Sequence, residues 1–235
     1  MSSTIRMYDL AGADTQRRFS PYCWRVRMAL KHKQLDFECL PWHFTDKPVI
    51  APYYAEGEAQ LVPVLTDGTA SITDSWNIAE YLEEAYPAKP GLFEGEGGKR
   101  HARFLKHWTE TTLHLPITRM IVLDIYERLA EKDKAYFRDS REKRLGKPLE
   151  EVVANREQTR ADFAKLLMPL RNVLKEQPFV SGGSPSFSDY VVFGTFQWAR
   201  CTSPFDVIEG DATVIAWRDR MLGLFDNYAA GFPAG

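Results

Sequence analysis

The sequence predicts a small α/β domain followed by an all-α domain. Three observations carry this expectation. Short β-like runs alternate with helical runs over residues 1–87, a Gly- and Pro-rich linker occupies residues 88–98, and residues 99–235 contain no convincing strand. The order of the first part reads β-α-β-(α)-β-β-α.

Thr4 to Leu10 reads as a strand, and the polar segment Ala11 to Phe19 as a loop. Ser20-Pro21 opens a helix, with a capping residue followed by Pro at the first helical position. Tyr22, Val26, Ala29 and Leu30 recur on one face of it, which leaves Arg25, Arg27 and Lys31 to point outward. Leu35 to Leu40 reads as a second strand. Lys47 to Gln60 holds Pro48, Pro52 and Gly57, so it reads as a short helix plus loop. Leu61–Thr66 and Thr69–Thr73 flank Asp67-Gly68, a two-residue hairpin signal. A helix then runs from Asp74-Ser75 to just before Pro87.

In the second part, Phe104, Trp108, Thr111 and Leu115 fit a helical face that Pro116 would kink. Glu127 to Lys147 mixes charges of both signs and reads as solvated surface. Phe163, Leu166, Leu167, Leu170, Val173 and Leu174 form an apolar stripe that Pro169 must bend or interrupt. Ser186-x-x-Asp189 is a capping arrangement opening the apolar run Tyr190 to Trp198.

Composition excludes several functions. The 235 residues carry Lys+Arg 30 against Asp+Glu 32, a net charge of -2, so no bulk positive field exists for nucleic acid or acidic lipid. The longest apolar runs, such as Ile121-Val122-Leu123, are too short to span a bilayer. The amino terminus lacks the apolar core of a secretory leader. Cys23, Cys39 and Cys201 are too few and scattered for a disulfide framework or a four-cysteine metal site. The expectation is a soluble cytoplasmic protein without a metal.

Three features carry the chemistry. Ser20-Pro21-Tyr22-Cys23 lies at a helix amino terminus, where unpaired N–H groups favour an anion such as a thiolate. Val62-Pro63 puts a proline inside a strand-like run; a cis bond there would turn the Val62 backbone outward to pair with an extended peptide. Asp74-Ser75 opens the next helix and could hold a carboxylate with Ser75 and an ammonium group with Asp74. Taken singly, each has a plain structural reading as a cap or an edge residue. Together they describe a site for a short thiol peptide.

With these residues in view, the chain resembles the glutathione transferase family. FSPYCWRVRMALKHK is similar to its first helix and active-site turn, LVPVLTDGTASITDSWNIAEYLEEAYP to its strand-hairpin-helix signature, and GGSPSFSDY to the capping box of its helical domain. The resemblance implies a thioredoxin-like domain that binds glutathione, then a helical domain that contributes the electrophile site. It implies that Ser20 donates to the glutathione sulfur as the catalytic residue, that Val62 and Pro63 hold the cysteinyl backbone, and that Asp74 and Ser75 hold the γ-glutamyl end. Lys47 is a candidate for the glycyl carboxylate. An unperturbed thiol has a pKa of about 8.5, and lowering it two units takes about 2.7 kcal/mol. One charge-assisted hydrogen bond is worth roughly 1.5–3 kcal/mol, so Ser20 with the helix dipole is the right size.

Within the family the chain looks most like the bacterial and fungal etherase-type branch, whose members cleave aryl ethers with the glutathione thiolate. An aryl substrate would find walls in Tyr22, Trp24, Tyr53, Tyr54, His107, Trp108, Thr111, Tyr126 and Trp198. His107 and His114 are conceivable acids for a leaving phenolate but are not assigned that role. The family also implies a homodimer. Two alternatives stand beside the enzyme reading: a noncatalytic ligand-binding module of the same fold, and a glutathione-dependent disulfide reductase using Cys23.

Overall fold

The computed structural model describes residues 4–235; residues 1–3 of the segment read as leaderless lie outside the described residues. A four-stranded mixed sheet is built from β1 (Ile5–Leu10), β2 (Phe37–Trp42), β3 (Val64–Asp67) and β4 (Ala70–Thr73), in the order β2-β1-β3-β4. β1 runs parallel to β2 and antiparallel to β3, with Met7 opposite both Cys39 and Leu65. The β1–β2 crossover is α1 (Pro21–His32), α2 (Lys47–Ile50) follows β2, and α3 (Ser75–Ala85) follows β4. The rest is helical: α4 (Gly95–Trp108), α5 (His114–Arg128), α6 (Glu131–Leu145), α7 (Leu149–Val153), α8 (Arg156–Leu166), α9 (Met168–Glu176), α10 (Phe187–Thr202) and α11 (Ala212–Leu222). An α/β part followed by a helical part is therefore the observed architecture.

Local chemistry explains most boundaries. Ser20 caps α1, its oxygen accepting from the Cys23 N–H at 3.2 Å, with Pro21 as the first helical residue. At α10, Ser186 and Asp189 form the reciprocal capping box, and the Asp189 carboxylate also takes the Val180 N–H at 2.7 Å and the Trp217 indole at 3.1 Å. Pro169 does divide the stripe it interrupts, falling between α8 and the body of α9. The hairpin sits one residue later than expected. Asp67 pairs with Ala70, so the two-residue loop is Gly68-Thr69, with Gly68 at φ 58 in the position that favours glycine.

Three expectations about exposure are corrected. Arg25 and Arg27 do not point outward, because α1 is covered by the sheet on one side and α10 on the other. Both are buried and paired, Arg27 with Asp9 at 2.6 Å and Arg25 with Glu110 at 2.7 Å. The Phe104–Leu115 face stands outward, with Phe104 and Leu115 exposed; Ala102, Leu105, Thr109 and Leu113 are the buried positions instead. Pro116 is the third residue of α5, which continues from α4 through an unbroken helical run. The irregularity lies just upstream, where Thr109–Leu113 forms a π-helical turn. The charged segment is not wholly solvated either. Asp133 of α6 is fully buried and accepts from the Thr45 N–H at 2.9 Å and hydroxyl at 2.7 Å, fastening α6 across the first part of the chain.

The two parts meet chiefly through α1 and α10. A Cβ added to Gly194 would lie 2.4 Å from the Pro21 carbonyl oxygen, so only glycine lets α10 approach the turn that carries Ser20. No described helix is long and apolar enough to cross a membrane, and the described residues contain no cluster of metal-ligating side chains.

Candidate active site

Two adjoining cavities form one groove at the carboxyl end of β1, between the sheet and the helices. The first, about 320 Å³, is lined by Ser20, Tyr22, Phe44, Lys47, Val62, His114, Phe137, Arg141, Arg144 and Trp198 among others. The second, about 340 Å³, is lined by Tyr54, Pro63, Asp74, Ser75, Lys106 and Glu110, and shares Tyr22, Leu61 and Val62 with the first. A smaller cavity of about 160 Å³ beside α10 and the end of the chain contains none of these residues.

Ser20 sits where the groove meets α1. Its oxygen accepts from the Cys23 N–H and its O–H interacts with the Cys23 side chain, beside a helix amino terminus. Cys23 lies one turn deeper and is fully buried. Burial, then the nearby Asp9 charge, push its thiol well above the ordinary range, so it has little thiolate to offer.

The Val62-Pro63 bond is cis, and both residues border the groove. Asp74 adopts φ 69, a region L residues rarely occupy, and caps α3 by accepting from Trp76 N–H at 2.8 Å and Asn77 N–H at 3.3 Å. Ser75 beside it has a buried hydroxyl with no partner among the described residues. A buried hydroxyl without a bond is costly, and a ligand oxygen there would satisfy it. Glu110 closes the same end, joined to Arg25 at 2.7 Å and Lys106 at 3.0 Å; burial would raise its pKa, but these two cations outweigh it and keep the carboxylate ionised.

Lys47 borders the other end. Its Nζ donates to the Gln60 carbonyl at 2.7 Å and lies 5.1 Å from the Trp42 ring centroid, while burial and the nearby Arg141 charge lower its pKa. His114, at the start of α5, bonds to the Thr195 hydroxyl at 3.0 Å and meets Tyr22 and Trp198 edge-on at 5.6 and 5.8 Å. Burial and Arg25 hold it down at about 3, so it is neutral at physiological pH and a poor source of protons. Tyr22 is raised by burial and by the Glu110 charge.

Of the residues expected from sequence, the groove brings together Ser20, Tyr22, Lys47, Tyr54, Val62, Pro63, Asp74, Ser75 and Trp198. It does not include the others. Trp24 is fully buried against Tyr228 and Phe232, with its indole N–H on the Arg18 carbonyl. Tyr53 packs on Tyr8, and Tyr126 is covered by Arg138 and Lys134. His107 and Thr111 face solvent on α4 and the π turn, and Trp108 packs against the core. Sequence reasoning missed His114 as a wall, together with Phe44, Phe137, Arg141, Arg144 and Glu110. Only the π turn, which shifts the facing of every residue after it, and the unpaired charge of α6 could have signalled them.

Comparison with known proteins agrees with this architecture. Residues 15–90 match the family described as glutathione S-transferase, N-terminal domain, and residues 101–225 match glutathione S-transferase, C-terminal domain. A probable maleylacetoacetate isomerase of Vibrio cholerae is 36% identical over 85 residues, which is 35% of this chain and 39% of that protein. Glutathione S-transferase omega-1 of Mus musculus is 28% identical over 194 residues, 82% of this chain and 66% of that protein. In fold, a glutathione S-transferase of Ceriporiopsis subvermispora solved in complex with glutathione superposes with a TM-score of 0.83 at 21% identity, over 97% of this chain and 100% of that one. A mixed sheet with a capped turn at its edge, a helical partner lobe and two consecutive domain matches have one common explanation: the chain belongs to the glutathione S-transferase family.

Proposed function

We propose that the protein transfers glutathione to an aromatic electrophile, with Ser20 stabilising the attacking thiolate. The observation that carries this reading is the Ser20 hydroxyl at the amino terminus of α1, on the wall of a groove that also holds the Ser75 hydroxyl, which has no partner among the described residues. The tripeptide would lie along the groove. Its γ-glutamyl carboxylate would bond to Ser75 and its ammonium would face Asp74 and Glu110. Its cysteinyl backbone would pair with Val62, and its glycyl carboxylate would reach Lys47. The sulfur then lies beside Ser20, which donates its proton to the thiolate without becoming a nucleophile itself.

The electrophile would occupy the cavity between Tyr22, Phe44, Phe137 and Trp198, whose faces suit an aryl ring. Attack forms a carbon–sulfur bond, and the leaving group departs with its electron pair; for an aryl ether it departs as a phenolate. Neutral His114 would contribute a polar edge to that wall rather than a proton. The buried, high-pKa Cys23 counts against a disulfide-exchange mechanism.

The test is the ionisation of bound glutathione, followed by thiolate absorbance against pH in the unmodified protein and in Ser20→Ala. The expected result is a bound thiol that ionises below its free value, with the shift reduced by the substitution. A bound thiol whose ionisation matches in both proteins rules out Ser20 as its stabiliser. Binding of glutathione without conjugate formation from any of a panel of aryl ethers and halogenated aromatics would favour the noncatalytic module.

A further inference from the structure

The cavity beside Ser20 and Lys47 gathers positive charge that no protein anion meets. Lys47 enters from one wall and Arg141 and Arg144 from α6 on the other, and no aspartate or glutamate lines the space. The chain as a whole has slightly more acidic than basic residues, so even mixing would place carboxylates here. Elsewhere α6 does pair its cations: Arg138 meets Glu142 at 2.7 Å and Glu150 at 2.8 Å, and Lys134 meets Glu131 at 2.9 Å. Among the described residues, Lys47, Arg141 and Arg144 form no ion pair of that kind.

Arg141 is the member best held in place. Its guanidinium lies 4.6 Å from the Phe137 ring centroid and 5.2 Å from that of Phe44, and one nitrogen donates to the Ser140 hydroxyl at 2.9 Å. Two ring contacts therefore fix the group at the cavity wall while most of its donors have no partner. Burial and the neighbouring Arg144 charge lower its pKa to about 10, so it remains charged at neutral pH under mutual repulsion. An anion entering beside these groups relieves that repulsion and meets a planar fork suited to a carboxylate.

We infer that the electrophile this protein prefers is an aromatic compound bearing a carboxylate, which Arg141 and Arg144 hold while the ring lies against Phe44 and Phe137. The inference rests on the transferase reading above, in which Lys47 already serves the glycyl carboxylate and leaves the two arginines to the second substrate. With a chlorinated acceptor the glutathione thiolate forms a C–S bond at the ring carbon bearing chlorine. The C–Cl bond breaks, chloride leaves with the electron pair, and the thiol proton has already passed to solvent.

Steady-state kinetics of the full chain with a chlorodinitrobenzene and with its ring-carboxylated analogue test this directly. The expected result is a higher kcat/KM for the carboxylated compound, relative to the ratio of their uncatalysed rates with glutathione. Arg141→Gln should lower the carboxylated-to-neutral ratio of kcat/KM roughly tenfold, the size of one charge-assisted hydrogen bond. Arg141→Lys should restore part of it, and Arg144→Gln, at an exposed position, should lower it about threefold. The inference is overturned by a ratio that none of the three variants moves, or by Arg141→Gln raising the KM for glutathione in place of that shift, which would assign Arg141 to the tripeptide. Failure of the unmodified protein to conjugate either compound is a different result: it overturns the transferase reading, and this inference falls with it.

Discussion

The two walls of the groove are built by different means. On the side of the sheet Ser20, Val62, Pro63, Asp74 and Ser75 all sit at backbone turns: two helix caps and a cis-proline. Their positions follow from hydrogen bonds of the main chain, as in the Asp74 carboxylate that caps α3. On the opposite side Arg141, His114 and Trp198 are side chains from three separate helices. A wall made of turns suits a ligand that never changes, because altering it means refolding the turn. A wall made of long side chains can be respecified by single substitutions. The sheet-side wall therefore suits the constant co-substrate of the proposed reaction and the helical wall the variable one.

The sharpest way to break that division is Ser20→Ala. It should lower kcat by roughly 10- to 100-fold with every electrophile alike, the loss of one charge-assisted hydrogen bond, and move the pH–rate profile to higher pH. A loss that depends on the electrophile would mean that the two walls do not act separately. Asp133→Ala should come next, destabilising the protein by about 2 kcal/mol in urea denaturation because two buried bonds to Thr45 are lost. It should also weaken discrimination between electrophiles, since it unfastens the helix that carries Arg141. Ser75→Ala should raise the KM for glutathione about fivefold while leaving the ranking of electrophiles alone.

His114 sharpens the comparison through pH. Its folded value of about 3 lies below the ordinary 6.5, so between these values the unfolded chain binds a proton that the folded chain does not. Its contribution to stability is complete above about pH 6.5 and is lost as pH falls toward 3. His114→Gln should flatten the acid side of the stability curve within that window, read as denaturation midpoints across it. The smallest effect belongs to Cys23→Ala: turnover should stay within about twofold, with a stability loss near 1 kcal/mol from the small cavity. Abolished turnover there would restore the cysteine mechanism.

What could be read from sequence divides along the same line. Ser20, Asp74 and Ser186 were legible because a cap is a local pattern, complete within three or four residues. The helical wall was not, because its determinants are distant. Asp133 looks like one more charge on a charged helix until Thr45, 88 positions away, comes to meet it. Arg25 and Arg27 look outward-facing by periodicity, which assumes one solvent-facing side; a helix covered on both sides has none. The Phe104–Leu115 stripe failed for a related reason, since the π turn at Thr109–Leu113 breaks the 3.6-residue repeat within it.

The near-contact of Gly194 with the Pro21 carbonyl has a further consequence. Main chain rests on main chain there, without a compressible side chain between, so the lobes cannot rock about that point without carrying the nucleophile's cradle along. Retuning for a new reaction partner must then come from repainting the far wall, while the hinge angle stays as inherited.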